Sequence, residues 1–356
     1  MTSRKRVSLS LSHKEPDRVP IGYWSTVEAE ENLKKYLNIK SKKELLKRLG
    51  VDYRFIAPKY IGPRDLRCYN NWDVPGKDTW GVERRTMKSA YSEHREIFKY
   101  PLKEIKDVEE LEKYPWPKID WFDFEDIKRQ IEEFEEDDEY SIVLNGGSVF
   151  EVSWYMRGMD NFLMDLLVNR DIADKIIEKV FSFYSSIITE SIKVCRERID
   201  IILFGDDIAS QSSMLISADL WRKMIKPWHK KFYKLSHDYG KKAIYHSCGA
   251  IEPIIEDLIE IGLDVLNPLQ FSAKGFPSPE QLKEKYGDKL CFEGGMDIQT
   301  VLPFCSVEEI KKETERLIRI LGKDGGYTIQ STHYFQLDTP PQNIMAMYDT
   351  ALKHSY

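Results

Sequence analysis

Two side chains of the kind that bind metal ions, His246 and Cys248, are separated by a single residue. In an extended segment, residues i and i+2 point to the same side, so this imidazole and this thiol can reach one ion. An imidazole and a thiolate together suit zinc. His333, at the end of a later predicted strand, is the third candidate ligand. The alternative is a buried cysteine beside a histidine that only packs in the core.

Asp206 and Asp207 form the second group that could do chemistry. Either carboxylate could supply a further metal ligand, orient His246, or act as a general acid or base. Adjacent residues at a strand end point in opposite directions, so we expect at most one of the two to face a pocket. Helix capping or loop stabilisation is the alternative. We predict a catalytic role for this pair and leave open which member carries it.

Further candidates for substrate binding are polar, aromatic and glycine residues close to predicted strand ends. Glycine allows a ligand to approach the backbone, amides can hydrogen-bond a polar substrate, and aromatic rings can wall an apolar pocket. Ordinary turns and core packing are the alternatives for each of them. The predicted substrate-binding residues are Tyr23, Trp24, Gly147, Gln211, Asn267, Gln270 and Asp297.

Eight short β-rich segments, most of them followed by helical periodicity, must position these residues. Several are nearly continuous apolar runs, which is typical of parallel strands buried on both faces. Strands that alternate with helices indicate βαβ units, and eight of them favour a closed (β/α)8 barrel with its functional groups at the strand ends. The predicted strands are 19–24, 53–58, 141–146, 199–205, 242–247, 264–268, 289–293 and 327–331.

The segments between the strands predict helices, including one over 28–49 and a pair over 160–196 that is broken near Asn169. Residues 68–102 do not fit the alternation and predict an insertion that contains a β-hairpin after the second strand. We therefore expect an α/β protein of the (β/α)8 TIM type, distorted, with one barrel domain over residues 1–356 and this insertion within it.

Composition excludes several classes of function. The 356 residues carry a net charge of −6 and no long basic run, which argues against nucleic-acid binding. The N-terminus is too polar for a signal peptide, and no apolar run is long enough for a membrane span. Five cysteines without paired spacing indicate reduced thiols, so we expect a cytoplasmic location.

Six motifs, in order along nearly the whole chain, resemble the signatures of the uroporphyrinogen decarboxylase superfamily. The HSCG and DTPPxN motifs are the most specific of them. The resemblance implies a distorted (β/α)8 barrel, which agrees with the strand count. The motifs are EPDRVPIG at 15–22, GDD at 205–207, HSCG at 246–249, DVLNPLQ at 264–270, GGMD at 294–297 and DTPPQNI at 338–344.

Two branches of this superfamily compete. True uroporphyrinogen decarboxylases carry an arginine-rich segment near the start that holds the carboxylates of the tetrapyrrole, and the matching stretch 21–27 has no arginine. The chain more closely resembles the methylcobamide:thiol methyltransferases, which bind zinc through a His-x-Cys motif and a later cysteine. That later position falls on or near His333. One thiolate with two imidazoles would make zinc more electrophilic, which allows a substrate bound through oxygen.

The resemblance implies methyl transfer between a corrinoid and a small substrate, with zinc on His246, Cys248 and His333. The predicted cofactors are zinc and a corrinoid supplied by a partner protein. The expected partners are that corrinoid protein and a small-molecule methyl donor or acceptor, with a homodimer left open and no nucleic acid or membrane. Two alternatives stay open: a decarboxylase or other lyase on a smaller substrate, and a non-catalytic metal- or corrinoid-binding accessory protein.

Overall fold

The computed structural model describes residues 1–69, 74–88 and 93–354. Its centre is a seven-stranded parallel sheet in the order β1-β7-β8-β9-β10-β11-β12, where the numbers follow the chain. The strands of this sheet are β1 (Tyr53–Ile56), β7 (Ser141–Gly147), β8 (Ile199–Gly205), β9 (Lys242–His246), β10 (Val265–Asn267), β11 (Cys291–Met296) and β12 (Tyr327–Ser331).

A bridged segment, 19–25, stands where the eighth strand of a barrel belongs. Gly22 N donates to Ile329 O of β12 at 3.0 Å, and Asp52 N, directly before β1, donates to Ile21 O at 3.0 Å. The segment therefore joins the two outer strands of the sheet, and the fold is a distorted (β/α)8 TIM-type barrel, as predicted. The expected full strand over 19–24 is reduced to isolated bridges, and Pro20, which has no N–H to donate, lies within it.

The barrel interior is packed with one side chain from each of several strands. Tyr53, Val143, Ile201, Ile244 and Val265 form a buried cluster there. Helix α1 (Ser3–Ser10) closes the lower end with Val7 and with Leu11, which follows it. Because the interior is filled, a substrate can enter only at the opposite mouth, where the strands end.

The helices surround the sheet. The predicted helix over 28–49 is two helices, because Asn38 adopts a left-handed conformation (φ 56°) that ends α2, and Ser41 caps α3. The predicted break near Asn169 is confirmed.

The helices after α1 are α2 (Val27–Leu37), α3 (Lys42–Arg48), α4 (Val108–Glu112), α5 (Asp126–Phe134), α6 (Phe150–Arg157), α7 (Met159–Val168), α8 (Arg170–Cys195), α9 (Ala218–Met224), α10 (Lys226–Asp238), α11 (Ile255–Glu260), α12 (Pro279–Tyr286), α13 (Val301–Phe304), α14 (Val307–Leu321) and α15 (Pro341–Lys353), with 3-10 turns at Ile119–Trp121 and Glu252–Ile254.

The insertion holds a three-stranded antiparallel sheet made of β3 (Gly76–Lys77), β4 (Glu83–Lys88) and β5 (Glu93–Lys99). The predicted hairpin is thus present as the antiparallel pair β4 and β5, while the parts of that prediction at 70–73 and 89–92 lie outside the described residues. A two-stranded sheet joins β2 (Lys59–Tyr60) to β6 (Phe122–Asp123). Among the described helices, none has the length and apolar character needed to cross a membrane.

Candidate metal centre

Three donor atoms meet at the mouth of the barrel. His246 ends β9, Cys248 follows two residues later, and His333 lies two residues after the end of β12. One ligand atom from each lies within 4.8 Å of the others, and Cys248 Sγ is 3.7 Å from His246 Nε2. Around a tetrahedral zinc ion the ligand atoms would be about 3.4–3.8 Å apart, given bond lengths of about 2.0–2.3 Å. Small side-chain movements would therefore bring all three residues onto one ion.

The protonation of His246 suits a metal ligand. Its Nδ1 lies 2.6 Å from Asn267 Oδ1, and the other end of that amide, Nδ2, donates to Glu293 Oε1 at 3.0 Å. An amide oxygen can only accept, so Nδ1 must carry the proton. The lone pair is then on Nε2, which faces Cys248. Metal-binding histidines usually donate their second ring nitrogen in this way.

The other two residues are uncharged donors in the metal-free protein. Burial, with a smaller effect from His246, lowers the pKa of His333 to about 4, so this imidazole is neutral near pH 7. Burial raises the pKa of the Cys248 thiol well above its usual range, and the carboxylates of Asp207 and Glu151 raise it further. A cation bound here must displace the thiol proton, as zinc does in its cysteine sites.

The two adjacent aspartates are separated by the fold. Asp207 lies at the site: its Oδ1 accepts from Cys248 N at 2.7 Å and lies 3.9 Å from His246 Nε2, and its side chain is 39% exposed. Asp206 points the other way and is buried. It accepts from Phe150 N at 2.8 Å at the start of α6 and contacts His229 Nε2 at 2.8 Å. Only Asp207 is placed to act on a ligand in the mouth, and a catalytic role for either aspartate stays a prediction.

A third acidic residue, Glu151, was not predicted from the sequence. It is partly buried in the first turn of α6, and Tyr155 donates its hydroxyl to Glu151 Oε1 at 2.7 Å. Burial, followed by the charges of Asp207 and Asp206, raises the pKa of Glu151 to about 8. The available signal was its position just after the end of the third predicted strand, because groups there face the mouth.

An aromatic wall lies beside the metal centre. We define it as Trp24, Phe55 and Tyr334. The Trp24 ring lies 5.0 Å from that of His246, stacks on Tyr334 at 5.5 Å, and is 6.4 Å from Phe55. Phe55 and Tyr334 are each 42% exposed, so part of each side chain is open to a ligand. Trp24 was predicted as a substrate contact, whereas the other two were not.

The remaining predicted substrate residues are placed differently. Tyr23 is buried, with its ring packed 5.9 Å from that of Phe335. Gln211 is exposed in the loop after β8. Gln270 is buried, and its side chain accepts from Gly249 N at 2.7 Å. Their roles in substrate binding stay predictions.

Three further predicted contacts support local structure. Asn267 is fully buried beneath His246. Asp297 Oδ1 accepts from the backbone N–H groups of Gln299 and Thr300 at 2.8 and 2.6 Å, which stabilises the turn after β11. Gly147 has a φ of 83°, and a Cβ at this position would lie 2.1 Å from the Tyr184 ring. None of these placements requires a ligand.

Comparison with known proteins identifies the family to which these motifs belong. The family model described as uroporphyrinogen decarboxylase (URO-D) matches residues 87–354, which is most of the chain. A search of curated proteins finds no match.

A solved structure shares the fold. A methyltransferase from Methanosarcina mazei is 17% identical, with 99% of each chain covered and a TM-score of 0.68. At this identity the likeness shows the fold alone. The IOLI protein with a zinc atom (13% identity, 69% of this chain and 83% of that chain, TM-score 0.37) is too distant to carry an argument. The same holds for the GH18 chitinase ChiB of Flavobacterium johnsoniae (11% identity, 95% and 94% covered, TM-score 0.39).

Proposed function

The chain belongs to the uroporphyrinogen decarboxylase (URO-D) family, and from that premise we propose that it is a zinc-dependent methyltransferase. It would move a methyl group between a corrinoid carried by a partner protein and a small substrate. The observation that carries this proposal is the convergence of His246, Cys248 and His333, whose ligand atoms lie within 4.8 Å of one another. The description of the Methanosarcina mazei structure as a methyltransferase agrees with it.

The three residues leave room for a substrate atom. When bound, zinc supplies Lewis acidity at its fourth position, which lowers the pKa of a substrate heteroatom. His246 is held in the ligand tautomer by Asn267, and His333 is neutral without any proton loss. Cys248 is the one ligand of the three that must release a proton, so binding leaves a site with a single thiolate charge.

Asp207 and Glu151 would handle protons at the mouth. Asp207 Oδ1 is 3.9 Å from His246 Nε2, and the side chain is open to solvent. This carboxylate can therefore take a proton from the substrate heteroatom or return one to it. Glu151, with a pKa of about 8, holds a proton near pH 7 and can act as a proton reserve for Asp207. Asp207 makes this side of the mouth negative, which disfavours a polyanionic tetrapyrrole as substrate.

The aromatic wall would bind the apolar part of the substrate and exclude water from the heteroatom. A corrinoid protein as partner rests on the resemblance of the motifs, and a homodimer stays open. A cytoplasmic location rests on the five cysteines without paired spacing, all of which are free. A lyase of the uroporphyrinogen decarboxylase type would need neither zinc nor corrinoid, and an accessory protein would bind metal without turnover.

The test is methyl transfer to and from free cobalamin, measured by its visible absorption, with a panel of thiols, alcohols and methyl ethers as substrates. We expect activity that a zinc chelator removes and added zinc restores. Cys248→Ser should lose activity and zinc, while Cys305→Ser, a partly exposed cysteine away from the site, should keep both. Release of CO2 from a carboxylated substrate by zinc-free protein, without methyl transfer, would favour the lyase. Zinc binding without turnover of any panel substrate would favour the accessory protein.

A further inference from the structure

We propose that Glu293 is a positioning residue for the metal centre: through the Asn267 amide, it fixes which nitrogen of His246 carries the proton. The three side chains come from the neighbouring strands β11, β10 and β9. We call them the Glu293–Asn267–His246 relay. The proposal rests on the proposed metal site, and it adds a residue that no motif marked.

The direction of the relay follows from which atoms can donate a hydrogen bond. The carboxyl Oε1 of Glu293 accepts, whether or not Oε2 is protonated, so it holds the Nδ2 end of Asn267 at 3.0 Å. The Oδ1 end then faces His246 at 2.6 Å, where only a protonated Nδ1 completes the bond. With the amide reversed, the proton of His246 would lie on Nε2, and the lone pair that faces Cys248 would be lost.

Burial indicates that Glu293 serves position rather than stability. Glu293 is 5% exposed and Asn267 is fully buried, so bulk water does not compete for either group. Within the described ranges, Asn267 is the one hydrogen-bond donor to the Glu293 carboxyl. The wall beside Glu293 is largely apolar and includes Val143, Leu203 and Ile244. A carboxyl buried with a single donor costs folding free energy, and an apolar side chain would fill the same place at lower cost.

Strand geometry makes the relay stiff. Asn267 and His246 are register partners in the parallel pair of β10 and β9, so their side chains project from adjacent positions of one rigid sheet. Leu269 N donates to Glu293 O at 3.2 Å, which ties β11 to the segment directly after β10. The orientation of the amide is therefore the main freedom left in the relay, and Glu293 removes it.

The test is a double-mutant cycle read by zinc affinity, with Zn2+ as the probe and a coloured chelator as competitor. Glu293→Leu leaves the Asn267 amide free to reverse, and we expect a roughly tenfold loss of zinc affinity, the lower end of the range for residues that support a metal ligand. In an Asn267→Asp background the oxygen that faces His246 accepts whichever way the side chain turns, so the same Glu293→Leu change should not lower the zinc affinity. Equal losses in the two backgrounds would overturn the proposal.

A second readout needs no metal. In protein labelled with isotopic histidine, nuclear magnetic resonance should show His246 protonated at Nδ1, and Glu293→Leu should give a mixture of both tautomers. Tyr53→Phe is the matched control, because it removes the 2.7 Å bond between Tyr53 and Thr328 in the same interior and leaves Asn267 untouched. Wild-type protein that binds no zinc would contradict the metal site itself. Wild type that binds zinc while Glu293→Leu changes neither affinity nor tautomer would contradict the relay alone.

Discussion

Replacing Asp206 with alanine should destabilise the fold far more than the same change at Asp207. The Asp206 carboxylate is buried and accepts hydrogen bonds from the backbone N–H groups of Val149, Phe150 and Glu151 at 3.1, 2.8 and 2.9 Å. It also accepts from the Ser148 hydroxyl and contacts His229 Nε2. Alanine would leave these donors without an acceptor in a region that water does not reach.

The size of this loss in stability follows from the hydrogen bonds that Asp206→Ala removes. Loss of one partner of a buried, charged hydrogen-bond network costs about 3–5 kcal/mol. Total stabilities of about 5–15 kcal/mol make this a fifth or more of the whole. Asp207 is 39% exposed and accepts one backbone hydrogen bond, from Cys248 N, so Asp207→Ala should cost only about 1 kcal/mol.

Urea unfolding followed by tryptophan fluorescence measures both variants, and zinc affinity is measured on the folded protein. We expect Asp207→Ala to change the zinc affinity and Asp206→Ala to leave it intact. Asp206→Asn should lie between alanine and wild type in stability, because its amide keeps one accepting oxygen. If Asp206→Ala were as stable as Asp207→Ala, or if it alone abolished zinc binding, the division of roles between these neighbours would be wrong.

Three more predictions follow from the same geometry. Trp24→Ala should raise the KM for an apolar substrate by about one to two orders of magnitude, because a stacking partner in the pocket is lost, and should leave zinc binding intact. Tyr23→Phe, in the core beside it, should change neither the KM nor zinc binding. Burial raises the pKa of Glu293 from 4.5 to about 7, so the free energy of unfolding falls as the pH rises between these two values. Glu293→Gln should therefore add about 3 kcal/mol to the free energy of unfolding at about pH 8 and little at about pH 4. The same change at the exposed Glu104 should have little effect at either pH. Gly147→Ala should lower the free energy of unfolding by about 3 kcal/mol, because its φ of 83° and the Tyr184 ring leave no place for a Cβ, whereas Gly240→Ala, where φ is 72° and the space is open, should cost only about 1 kcal/mol. An unchanged KM in Trp24→Ala would contradict the first prediction, and an effect of Glu293→Gln that does not depend on pH would contradict the second. Equal costs at Gly147 and Gly240 would contradict the third.

The strands that carry the metal centre were predictable because both faces of each are buried. The runs 199–205 and 242–247 are nearly continuous in apolar residues and coincide with β8 and β9. The segment 19–24 was harder to predict, because its position depends on a bridge to Ile329 and a backbone hydrogen bond from Asp52, which the hydrophobic pattern does not encode. The break at Asn38 was visible in principle, since asparagine favours the left-handed end of a helix.

The metal trio was also accessible from sequence, because two rules sufficed. The spacing of His246 and Cys248 placed their side chains on one side, and the end of β12 brought His333 to the same mouth. His333 reaches His246 and Cys248 only because the barrel closes, since two strands separate β9 from β12 in the sheet.

The residues around the trio could not be found in this way. Glu293 ends the predicted strand 289–293, whereas β11 continues to Met296 and holds this residue inside the strand. Glu151 lies in the first turn of α6, where a lone acidic residue ordinarily faces solvent. Asn267 was predicted as a substrate contact because it ends a strand, and the structure instead buries it against His246. Which side of a strand end faces the mouth depends on local twist and on neighbours distant in sequence.

X-ray absorption spectroscopy of the zinc-loaded protein tests the central claim most directly. The account predicts one sulfur at about 2.3 Å and two imidazole nitrogens at about 2.0–2.1 Å around each zinc ion, with a light atom at the fourth position. The sulfur should vanish in Cys248→Ser, and one imidazole should vanish in His333→Ala. A shell of oxygen atoms alone, or no retained zinc in the wild-type protein, would contradict the claim that these three residues form one metal site.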